Sequence, residues 1–165
     1  MAAHTLRDVL RLGLGEIYDA EQQVLAVLDE METETESDEV RDRIRRHRDE
    51  TRHQLENIER CIELLGAGAP RVRSGALRGI REARPHFRQE ASPSGAVLEI
   101  FNLDTIGKIE GMEIAAYRTL IAQARALGDD DIRRLLEQNL RQEEEMARWS
   151  EEGHLRMLDR LLVKR

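Results

Sequence analysis

The chain has 165 residues, of which 40% are hydrophobic, 36% charged and only 3% aromatic, and it carries a formal charge of −7. That is one domain's worth of chain, long enough to bury a single core, and so poor in aromatic residues that a sandwich or barrel is disfavoured. The acidic balance argues against nucleic acid as a partner; a lone cysteine, Cys61, excludes an internal disulfide framework.

Leu10, Leu14, Ile17, Glu21, Val24, Leu28 and Met31 recur at spacings of three and four, which predicts an amphipathic first helix. The polar run from Glu32 to Ser37 breaks the pattern. A second stripe (Val40, Ile44, His47, Thr51, Leu55, Ile58, Ile62, Leu65) then runs to Gly66, a predicted C-terminal cap. Residues 4–66 therefore form a predicted helical hairpin. The next segment, 67–95, contains all three prolines (Pro70, Pro85, Pro93) and predicts a long crossover connection. Leu98, Thr105, Ile109, Glu113, Ala116, Leu120 and Leu127 mark a third helix ending at Gly128. Asp129 or Asp130 can cap a fourth, whose stripe is Ile132, Leu136, Leu140, Glu143, Ala147, Ser150, His154, Leu158 and Leu161. The expected architecture is all-α: a four-helix bundle of two antiparallel hairpins, 4–66 and 96–162, joined by the crossover 67–95. No run approaches the roughly 18 apolar residues needed to cross a bilayer, and residues 1–13 carry no targeting pattern, so the expected compartment is the cytoplasm.

Glutamates stand where core residues belong. Counted from a turn near residue 35, Glu21 lies 14 residues before it and Glu50 15 after; counted from Gly128, Glu113 and Glu143 each lie 15 away. At about 1.5 Å per residue, these four carboxylates share one level of the bundle, one from each helix. Glu110 flanks Glu113 one turn earlier, while Glu50 sits at the edge of its stripe. Converging buried carboxylates repel one another unless cations neutralise them, so the pattern predicts a metal site. The alternative is neutralisation by arginines. His47 lies on its stripe one turn from Glu50 and is favoured as the histidine ligand over His53, which completes a Glu-x-x-His step with Glu50 but points off the stripe. The fourth helix has no equivalent: Met146 follows Glu143 by three residues, and His154 is about 16 Å away along the axis.

The segments Ile17 to Gln23, His47 to Gln54, Ile109 to Tyr117 and Asn139 to Glu145 resemble the YciE/YciF-like family of bacterial ferritin-like proteins over nearly the whole chain. The resemblance implies a ferritin-like, rubrerythrin-related bundle, usually homodimeric, with a di-iron or di-manganese centre and an association with stress responses. By position it implies Glu21, His47, Glu50, Glu110, Glu113 and Glu143 as metal residues. Two departures are expected to reduce the ligand supply. Gly111 stands in place of a histidine between the third-helix glutamates, and Ala147 in place of an aspartate found in some members.

Carboxylate-rich sites suit iron and manganese, and with open positions such centres bind dioxygen or peroxide. Tyr18 and Tyr117 fall near the site level as candidate hydrogen-bond or electron donors. Cysteine clusters of the rubredoxin kind are absent from the chain, so oxidase- or peroxidase-like turnover would need an electron-donor partner. A second expectation is a non-catalytic dimeric scaffold with a degenerate metal site. It rests on residues 71–88, which hold Arg71, Arg73, Arg78, Arg81, Arg84 and Arg88 against one acid, Glu82, a basic strip for an anionic partner or a second subunit.

Overall fold

The computed structural model describes residues 3–66, 68 and 70–163. Five helices account for the described elements: α1 (Leu6–Glu34), α2 (Asp38–Leu64), α3 (Gly75–Ala91), α4 (Gly95–Leu127) and α5 (Asp130–Val163). Each boundary has a local cause. Thr5 caps α1 in a reciprocal capping box with Asp8, and Ser37 and Ser74 cap α2 and α3 through their hydroxyls. Gly128 closes α4 at φ 73°, a left-handed conformation that only glycine adopts without strain.

The four long helices pack side by side, α1 against α2 and α4, and α5 against α4 and α2. The short turns at 35–37 and 128–129 make both hairpins antiparallel. At one end of the molecule Arg11 donates to the carbonyl of Gly68 at 2.9 Å, and Gly15 lies so close to Pro70 that a Cβ there would meet the Pro70 carbonyl oxygen at 2.6 Å. At the other end the start of α4 lies against Glu36. The crossover thus runs the length of the bundle.

The expectation of four helices is corrected here: the crossover connection contains α3, a fifth helix of 17 residues, packed on α1 and α4. Leu77, Ile80, Arg84 and Phe87 form its inner stripe at spacings of three and four, and Phe87 stacks on Phe101 with ring centroids 4.0 Å apart. Pro85 sits on the exposed side, where the carbonyl it leaves unpaired is reachable by water. Arg84 is almost wholly buried, donating to Asn102 Oδ1 at 2.8 Å and Glu34 Oε2 at 2.7 Å. Arg88 pairs with the other oxygen of Glu34. Two of the six crossover arginines therefore serve the fold.

The α1 stripe is buried throughout, as the periodicity predicts. On α5 the prediction overreaches: Leu158 is 38% exposed, with Leu155 and Leu162 more so, although Gly153 on the same stretch packs against Leu103 of α4.

Candidate metal centre

Glu21 from α1, His47 from α2, Glu110 and Glu113 from α4, and Glu143 from α5 converge at mid-height, each no more than 1% exposed. They form two groups that share Glu143: His47, Glu110 and Glu143, and Glu21, Glu113 and Glu143. Within each group one potential ligand atom per residue lies within 4.8 Å of the others, so each group could hold a metal ion.

The polar atoms of the cluster are only partly satisfied. Tyr117 Oη donates to Glu21 Oε1, and Gln54 Nε2 donates to Glu143 Oε1. Glu21 Oε2, Glu110 Oε2, Glu143 Oε2 and both oxygens of Glu113 are buried without a hydrogen-bond partner. His47 Nε2 lies 3.0 Å from Glu110 Oε1 but makes no hydrogen bond there. Buried oxygens without donors are costly, and a divalent cation satisfies several at once. The donor set therefore fits a metal.

Burial drives the carboxyl groups toward their neutral forms. It raises Glu21, Glu113 and Glu143 well above the ordinary glutamate value, with the mutual repulsion of the cluster charges adding to the effect. Glu110 rises to about 8, burial again dominating, while a hydrogen bond with Glu143 acts in the opposite sense. Tyr117 is likewise held protonated by burial and by the facing glutamates.

Glu50 belongs to neither triad. Its carboxylate accepts from Arg43 at 3.0 Å and lies 3.3 Å from His47 Nδ1. Burial pushes its pKa upward, but the bond with His47 and the Arg43 charge outweigh that and hold it below the ordinary value. Glu50 thus orients the ring from behind, which presents Nε2 to the cluster. His53 is exposed and pairs with Glu56, whereas His47 is buried among the cluster residues. His154 is remote from the cluster, in a surface cleft with Gly107 and Ser150. Tyr18 gives its hydroxyl to Glu59 at 2.6 Å, so only Tyr117 reaches the cluster.

The expected cost of losing a ligand at position 111 does not hold. Gly111 faces outward, and a Cβ there meets nothing within 4 Å, so no side chain at this position would point into the cluster. Conversely, sequence reasoning overlooked a second layer of polar groups. Asn139 donates to Tyr117 Oη at 3.1 Å and accepts from Asn57 at 2.8 Å, and Gln54 holds Glu143. A signal was present in the spacing: Gln54 lies seven residues after His47, and Asn139 four before Glu143.

Fold and cluster together define a class, all-helical proteins with a buried histidine and carboxylate cluster bridging four helices. The chain belongs to the YciF-like family: the model for the family described as a domain of unknown function, DUF892, matches residues 5–156. It is 27% identical to Protein YciF of Escherichia coli over 144 residues, covering 87% of this chain and 86% of that one. Among solved structures, YcfI from Rhodopseudomonas palustris superposes with a TM-score of 0.85 at 31% identity, covering 90% of this chain and 94% of its own. The crystal structure of the E. coli stress protein YciF superposes with a TM-score of 0.88 at 24% identity, over 95% of this chain and 99% of the other.

Proposed function

We propose that this protein is a ferritin-like four-helix bundle, with α3 as an added crossover helix, that binds two iron or manganese ions in its carboxylate cluster. The observation that carries this reading is Glu113, fully buried with neither oxygen paired, inside a cluster of four carboxylates and one imidazole. Two divalent cations would balance four carboxylates. Glu143 would be shared by the two ions, with Glu21 and Glu113 completing one position and His47 and Glu110 the other.

When bound, such ions would supply the binding and reduction of dioxygen or peroxide. The chain's own groups prepare the site for that chemistry. Tyr117 holds Glu21 in place, Gln54 holds Glu143, and Glu50 turns His47 inward. Burial of every member excludes bulk water from the cluster. Oxidase- or peroxidase-like turnover would draw electrons from a separate donor protein. Cys61, the chain's one cysteine, is buried with its thiol pushed up to about 12 and so is held as an inert thiol. A role in a bacterial stress response is proposed from the likeness to the stress protein YciF.

No described helix is long and apolar enough to cross a membrane. A cytoplasmic homodimer is part of the proposal. Leu155, Leu158 and Leu162 support the dimer, an apolar strip of α5 left uncovered by a single copy.

Anaerobic titration of metal-free protein with Fe(II) or Mn(II) tests the reading. Uptake of about two equivalents, with both weakened in Glu143→Ala, is expected. Protein that takes up neither ion overturns it. That result would leave the second reading, a non-catalytic dimeric scaffold, which is favoured by Arg73, Arg78 and Arg81 along a groove of about 940 Å³ between α1 and α3.

A further inference from the structure

The two ligand groups are chemically unlike. One offers an imidazole and two carboxylates, the other three carboxylates and no nitrogen. Nothing in the described chain supplies the second group with a histidine. Of the five histidines, His4, His53 and His86 are exposed, and His154 is about 16 Å along α5 from Glu143. On α5, the residue one turn beyond Glu143 is Met146, buried in the apolar core.

The difference extends to the supporting groups. His47 is backed by a charged pair, Glu50 with Arg43, at 3.3 Å from Nδ1 and 3.0 Å between the partners. A ring that donates from Nδ1 to a carboxylate presents the Nε2 lone pair to a cation and is a stronger base there. Glu21, on the other side, is held by the neutral hydroxyl of Tyr117. Imidazole favours Fe(II), Co(II) and Zn(II) over Mn(II), whereas an all-oxygen set suits the harder Mn(II).

We propose that the cluster is a pair of unequal cation sites, a nitrogen-containing position at His47 and Glu110 and an all-carboxylate position at Glu21 and Glu113, which rank metal ions differently and so favour a mixed pair. The inference rests on the metal reading of the previous subsection and concerns the identity of the ions rather than their presence.

The test uses the full metal-free chain, titrated separately with Co(II), followed by its visible absorption, and with Mn(II), followed by electron paramagnetic resonance. The tightest Co(II) equivalent is expected to weaken at least about tenfold in His47→Ala. In Glu50→Gln it is expected to weaken about 10- to 100-fold, the range for loss of a partner that orients a ligand. The tightest Mn(II) equivalent is expected to change less than about twofold in both variants and to disappear in Glu113→Gln. Glu50 is partly exposed, so Glu50→Gln keeps the test informative if His47→Ala fails to fold. If Co(II) and Mn(II) respond alike to all three variants, the proposed inequality is overturned while metal binding stands. If the wild-type chain binds neither ion, the metal reading fails and the inference with it.

Discussion

At the scale of single residues, Glu110 links the cluster to pH. Its ordinary value of 4.5 rises to about 8 in the fold, so between these limits the metal-free native state holds a proton that the unfolded chain has lost. Stability contributed by this group is therefore greatest below pH 4.5 and declines as pH rises toward 8. Glu21, Glu113 and Glu143 are shifted in the same direction and act in the same sense. Metal-free protein is expected to melt at a lower temperature at pH 8 than at pH 5, and Mn(II) to remove the difference by taking the place of the protons. Equal melting temperatures without metal would contradict this assignment. Tyr117→Phe removes the donor to Glu21 and the acceptor for Asn139, both buried. A loss of about 1–3 kcal/mol in urea denaturation is expected, the usual cost of leaving a buried polar group unpaired.

At the scale of elements, α3 shows how a segment rich in helix breakers becomes a helix. Its register depends on Arg84, whose guanidinium ties α3 to Glu34 at the end of α1 and to Asn102 on α4. Glu34 is itself nearly buried, with 7% of its side chain exposed. Arg84→Ala would leave that carboxylate with Arg88 as its one remaining arginine and Asn102 without its buried donor, and a loss of about 1–3 kcal/mol is expected by chemical denaturation. The change is confined to one end of the bundle, so metal uptake by folded protein should persist. Arg84 therefore belongs to the fold and not to a basic docking strip, which narrows the exposed strip to arginines such as Arg73, Arg78 and Arg81.

At the scale of the whole molecule, the uncovered end of α5 is the feature a single chain leaves unexplained. Leu155, Leu158 and Leu162 follow a helical spacing on one side of α5 and are 58%, 38% and 67% exposed. In a homodimer that strip would be covered. Light scattering is expected to return twice the 19.0 kDa chain mass, and Leu158→Glu combined with Leu162→Glu to return one chain mass with the helical circular dichroism intact. A monomeric wild-type protein would contradict the dimer.

The sequence alone determined the long helices, their hairpin pairing and the level at which the glutamates meet. Those properties follow from local periodicity and a constant rise per residue, which need no knowledge of neighbours. It also placed Glu21, His47, Glu110, Glu113 and Glu143 on inward faces, and all five are buried. Tertiary structure decided what periodicity cannot carry. Glu50, at the edge of its stripe, turns to Arg43 and the back of His47 because those partners lie on its own helix and within reach. Helix α3 forms despite Pro85 because its inner face finds α1 and α4 to pack against. The division of the five cluster residues into an imidazole-containing triad and an all-carboxylate one exists only once four helices meet, since it depends on distances across the core between residues up to 122 positions apart in the chain.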